Sequence, residues 1–158
     1  LDSTKKITRL GLESCSARIF PAYSVMLTSR ATIGVVSINT MPACTNQGFI
    51  TCLSNDRVSA YHLYFWLLDT REKIIALASG ATFKEISKAT FRQIPVVLPQ
   101  KSVTSLFVDS VSPLCTQIEN LLRRNRNLRK TRDLLLPKLI SGELDISDLD
   151  INVEDMAA

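Results

Sequence analysis

Histidine is nearly missing from this chain: His62 is the only one, which excludes HExxH and every other metal site that needs two histidines. Its place in the run YHLYFWLL reads as an ordinary helix residue and not as a ligand. Glycine is scarce as well, and the five glycines form neither GxGxxG nor a P-loop, so no glycine-rich loop can cradle a phosphate or a methyl-donor cofactor. GxSxG is absent, as is the NPPY or DPPY tetrapeptide of adenine methyltransferases, and no carboxylate pair recurs with a histidine or lysine. Cys15, Cys44, Cys52 and Cys115 lie far apart without a CxxC pair, which excludes zinc-ribbon and thioredoxin-like spacings. They read as buried apolar fillers in a reducing, cytoplasmic compartment. Long apolar runs are missing too. The longest, YHLYFWLL at 61–68, falls far short of the roughly 20 residues of a spanning helix, with Asp69 and Arg71 close behind. No basic stretch followed by an apolar one opens the chain, so no secretory signal is expected in it. These absences predict a non-catalytic chain that needs no metal and no cofactor.

What is present is a sequence of 158 residues, 46% hydrophobic, with a net charge of +4, enough for one globular domain or a small domain with an extension. Residues 18–53 are rich in β-branched and apolar side chains broken by turn formers: IFPAYSVMLTSR, IGVVSI and FITCL read as strands. Ser59 to Ala78 reads as one helix with a broad apolar face, which Gly80 could close. Thr82 and Glu85 have the spacing of a capping box for a short helix ending at Ser87 or Lys88. IPVVLP at 94–99 reads as a strand ended by proline, and Val103 to Val111 as helical turns leading onward.

The last third carries a heptad seam. Leu114, Ile118, Leu121, Asn125, Leu128, Arg132 and Leu135 alternate spacings of four and three, which lines them along one helix face that must meet another helix. Asn125 and Arg132 sit where a purely structural coiled coil would carry Leu or Ile; such polar seam residues lower stability and fix register and partner. Ser112 and Pro113 offer an N-cap and a first helical position, and from Leu114 to Leu135 the rod would be about 33 Å long. Pro137 interrupts the pattern near its end, and Ser141-Gly142 reads as a stop. The plainer alternative is an amphipathic helix packed on its own domain.

Charge is segregated: residues 123–138 carry seven basic and one acidic side chain, whereas 143–158 carry no basic and six acidic ones. Arg123, Arg124, Arg126, Arg129 and Lys130 could pair with phosphates, giving salt-sensitive binding that ignores sequence, or could be a solvated flank. Reading bases instead requires loops with donors and acceptors that enter a groove. Arg30 and Thr32, Asn46 and Gln47, and Thr82, Lys84, Lys88 and Arg92 have that chemistry, since Arg suits guanine and Asn or Gln suits adenine. The competing view is that Thr32-Ile33-Gly34 and Asn46-Gln47-Gly48 are turn chemistry that shapes the domain.

LRKTRDLLLPKLISGELDI at 128–146 resembles the C-terminal conserved region of the specificity subunit of type I restriction–modification enzymes. SRATIG at 29–34, TNQGF at 45–49, SGATFKEIS at 79–87 and IPVVLP at 94–99 resemble, in order, the later part of that family's target recognition domain. The resemblance covers most of residues 7–146. It implies an α+β fold: a β-rich, partial recognition domain with short helices over 1–99 and a helical spacer and dimerisation arm of coiled-coil type over 100–146. The acidic tail over 147–158 is expected from its charge to be disordered. It also implies a subunit that reads one half of a bipartite target in double-stranded DNA. Its helix would dock methyltransferase (modification) subunits, and through them the restriction subunit, and would pack on a second specificity half or a second copy. LDSTKKITRLGLE enters in what looks like the middle of the family's domain, so a fragment with an exposed sheet edge is expected. The rival from another class is a coiled-coil adaptor whose β-rich head binds protein; a methyltransferase fragment is a third reading, which binding of S-adenosylmethionine would favour.

Overall fold

A computed structural model describes residue 3 and residues 5–147 of the chain. Two compact units divide between Gln117 and Ile118. Element order is α1 (Arg9–Glu13), β1 (Val25–Thr28), β2 (Val36–Ile38), β3 (Phe49–Cys52), α2 (Ala60–Asp69), α3 (Arg71–Ala76), α4 (Lys88–Arg92) and α5 (Lys101–Ile140). This is the α+β class expected: a small antiparallel sheet with short helices, followed by a long helix.

Alternation builds the sheet. Val25 and Leu27 of β1 are fully buried while Met26 and Thr28 stand half-exposed on the other face, as the period of two requires. β1 lies in the middle, in the order β2-β1-β3, with Leu27 opposite Val36 on one side and Ile50 on the other. The buried face meets Leu63 and Leu67 of α2, Ile74 of α3, and Ile86, Phe91 and Ile94 beyond. A side chain as deeply buried as Leu67 contributes roughly 2 kcal/mol of transfer free energy. Serine and threonine start the short helices: Ser59 accepts from the His62 N–H at 3.1 Å and Ser87 from the Thr90 N–H at 3.0 Å. Packing of Phe65 on Phe107, ring centroids 6.0 Å apart, ties the first turns of α5 to α2 within the first unit.

Several local expectations are corrected. The helix expected over 59–78 breaks at Thr70, which caps α2 and precedes α3, and Gly80 closes neither. Leu63, Leu67 and Ile74 keep one helical phase across the break, so periodicity gives no sign of it. Thr82 and Glu85 cap no helix. Ser79 and Glu85 instead exchange two backbone hydrogen bonds, 3.0 and 2.8 Å, and Ser87 starts the helix one turn later. Residues 94–99 pair with no strand: Pro95 and Pro99 lack the N–H that a ladder needs, and Val97 is left 79% exposed. The long helix begins at Lys101, so Pro113 lies inside it. The expected stop holds: Gly142 has φ 73°, and its N–H donates to the Leu139 carbonyl.

The thiols are less buried than expected, with Cys15 exposed and the other three half-buried. β2 and β3 are the edge strands of this sheet, and neither pairs with a further named strand among the described residues. Most of the acidic tail, 148–158, lies outside the described residues.

Candidate functional site

Three of the loops singled out in the sequence meet at one residue. Ser29, 2% exposed, donates its N–H to the Gly48 carbonyl at 2.8 Å and accepts from the Ile86 N–H at 3.0 Å. Its two backbone groups therefore join the 29–34 turn, the 45–48 loop and the 79–87 loop at one end of the sheet. The Ala31 N–H donates to the Lys84 carbonyl at 3.2 Å, and Arg30 lies 3.8 Å from the Glu85 carboxylate. Both partners of that pair are about half exposed, so it orients Arg30 more than it stabilises the fold.

The backbone of this end is constrained. Ala31 sits at φ 60°, a region costly for a residue with a Cβ. Gly34, at φ 92°, leaves room for the Arg71 side chain, whose Cγ lies 3.0 Å from where a Cβ would stand. Gly80, at φ 130°, faces the Phe83 carbonyl so closely that a Cβ would collide with it. Only Ala31 carries backbone strain here, since the two glycines adopt positive φ freely.

A groove of about 1020 Å³ runs beside β3 in the same unit. Asn46, Gln47, Lys88 and Arg92 line it together, the last two one helical turn apart on α4. The remaining four candidates are outside its lining. Arg30, Thr32, Thr82 and Lys84 are exposed on the joined loops. Sequence reading missed Lys5, Lys6 and Arg18, which add three cations to the groove. Their spacing in an irregular segment gave no periodic signal, although basic residues do recur there. Asn46 accepts from the Gly48 N–H at 2.9 Å, which is the turn-shaping role weighed against base contact.

Five cations, Lys5, Lys6, Arg18, Lys88 and Arg92, and no carboxylate line the groove, which makes its field positive. Cys15, Cys44 and Cys52 line it, but burial pushes the Cys52 thiol up to about 11, away from the thiolate. Among the described residues no group of three or more His, Cys, Asp or Glu could hold a metal ion, and no helix is long and apolar enough to cross a membrane.

The seven seam residues all lie on α5, and all are exposed. Leu121 and Leu128 expose 51% and 69% of their surface, values that leave a row of leucines in water. Among the basic residues beside them, Arg123 pairs with Glu119 at 2.5 Å and Arg132 with Asp133 at 2.6 Å, both within the helix.

Residues 2–128 match the family model described as the type I restriction modification DNA specificity domain. The chain is 33% identical over 129 residues to the type I restriction enzyme MjaIX specificity subunit of Methanocaldococcus jannaschii, covering 80% of this chain and 30% of that protein. It is 30% identical over 145 residues to the type I restriction enzyme HindI specificity subunit of Haemophilus influenzae, covering 90% of this chain and 32% of that one. The chain thus spans about a third of the length of these curated relatives. Among solved structures, the S subunit of a type I restriction–modification system from M. genitalium is similar with a TM-score of 0.62 at 22% identity, over 77% of this chain and 33% of that one. A structure from work on assembly and conformational transition of the type I R-M system is similar with a TM-score of 0.52 at 18% identity, over 83% and 34%. Both likenesses concern the fold. The family match, which spans most of the chain and both the sheet and the start of α5, shows that this chain belongs to the type I restriction modification DNA specificity domain family, a family of non-catalytic subunits.

Proposed function

We propose that this chain reads one half of a bipartite target in double-stranded DNA on behalf of a type I restriction–modification complex in the cytoplasm. The reading residues would come from the loop end gathered at Ser29 and from the adjoining groove, with Arg30, Thr32, Asn46, Gln47, Thr82 and Lys84 offered to base edges. Lys88 and Arg92 would hold phosphates and fix the register. The observation that carries this reading is the convergence of the three loops, because separate turns would not present one surface. α5 would dock methyltransferase subunits, and through them the restriction subunit, while packing on a second specificity half or a second copy. The full row of exposed leucines supports a docking role.

The test is a map of methylated bases in the source cell with the gene intact, with the gene deleted, and with Arg30→Ala and Gln47→Ala together. Methylation at a two-part motif should disappear on deletion, and the double variant should lose or relax one half of that motif. An unchanged map in the deletion strain would overturn the proposal and favour the adaptor, which shares the exposed seam but assigns no task to the loop end.

A further inference from the structure

We propose that the seam of α5 takes a helix from a different chain segment whose flanks are acidic, and not a second copy of this chain. The inference rests on the reading of α5 as a docking helix and narrows it by removing a second copy from the partners proposed above. Within residues 118–140, Ile118, Asn125, Arg132 and Leu139 occupy one seam position of the heptad and Leu121, Leu128 and Leu135 the other. The positions flanking the seam are then Leu122, Arg124, Arg129, Thr131, Leu136 and Lys138. These are the positions whose charges choose the partner and its orientation.

None of the six is acidic. The helix has two carboxylates in this span, Glu119 and Asp133, and both lie on its outer side, held by Arg123 and Arg132 within the same helix. This span of α5 in a second copy could therefore supply no acidic flank, parallel or antiparallel. Paired in parallel and in register, Arg124 of one copy would face Arg129 of the other, and Arg132 would meet Arg132 inside the seam. Paired antiparallel, flank would meet like flank, again basic or neutral. Arg124 and Arg129 have no ion-pair partner among the described residues, so their charges remain available to a carboxylate on another chain. The leucines of the seam supply association; the flanking cations exclude self-pairing and select an acid-flanked helix.

Two measurements on the full chain test this. Sedimentation should find the chain monomeric at micromolar concentration. Fluorescence anisotropy should compare two synthetic helical peptides with the same leucine seam, one with Glu and one with Lys at every flanking position. The Glu peptide should bind at least about tenfold more tightly, as expected for several modest ion pairs, and added salt should erode the difference. Arg124→Glu with Arg129→Glu, checked for unchanged helicity by circular dichroism, should reverse the preference. Equal affinity, no binding of either peptide, or a stable dimer dissolved by Leu121→Glu would overturn the inference. The methylation map separates this from the functional proposal: loss of the motif with no peptide preference sinks only the partner chemistry, and peptide preference with an unchanged map sinks only the DNA reading.

Discussion

Gly80 shows how much of the loop end depends on single residues. Its φ of 130° suits a residue without a Cβ, and an added Cβ would run into the Phe83 carbonyl, which is backbone and cannot rotate away. Gly80→Ala should therefore lower stability by roughly 2–3 kcal/mol in urea unfolding. Gly142→Ala, at φ 73° with open space around it, should cost only about 1 kcal/mol. Equal losses would mean that the collision at Gly80 is relieved by loop movement. The thiols give a second residue-scale expectation. Cys15 is exposed and should alkylate first with iodoacetamide at pH 8, with Cys52 last by at least about tenfold in rate, read by mass spectrometry. Because burial raises the folded-state pKa of Cys52, the neutral thiol is the form the fold favours. That contribution is present in full below the ordinary thiol value and is lost as pH rises toward about 11.

At the scale of elements, the sequence reveals what periodicity and capping encode and hides what tertiary pairing decides. The three strands and the helix started by Ser59 follow from alternation and a hydroxyl cap, both local signals. The partnership of Ser29 with Gly48 and Ile86 depends on tertiary pairing that no local pattern encodes, so the gathering of these loops at one end of the sheet is illegible in the sequence. Proline misled in both directions. In IPVVLP the β-branched run suggested a strand although its prolines prevent pairing, while Pro113 suggested a helix start although helix continues on both sides. Inside α5, Pro113 leaves the Asp109 carbonyl without its helical donor. Pro113→Ala should then raise stability by about 1–3 kcal/mol and increase helicity in circular dichroism. A fall in stability would mean that the proline sets a bend that packing of Phe107 on Phe65 requires. Ser87→Ala removes the cap of α4 and should cost about 1 kcal/mol in urea unfolding, with Phe91 behind it in the core.

For the whole molecule, the two proposals give the two basic regions different work, and salt can separate them. Removing one cation that neutralises a phosphate lowers the slope of log K against log salt by about 0.9 on duplex DNA. Lys88 and Arg92 line the groove of the first unit with Asn46 and Gln47, whereas Arg124 and Arg129 flank the seam of the second. If the groove holds DNA and the flanks hold a helix, neutralising the two sets must give different outcomes. Lys88→Gln with Arg92→Gln should reduce the salt slope for duplexes carrying the target by about 2 and weaken binding to matched and mismatched sites alike. Arg124→Gln with Arg129→Gln should leave that slope unchanged while weakening association with the acid-flanked helix. The measurement is a salt titration of duplex binding by the assembled complex, in which both surfaces are engaged. A slope that falls with the second pair and not with the first would assign the phosphates to the rod, and the groove beside β3 would then lose its claim as the DNA-binding surface. A slope that falls with both would make α5 part of the DNA path, and its acidic partner would have to compete with phosphate for the same arginines.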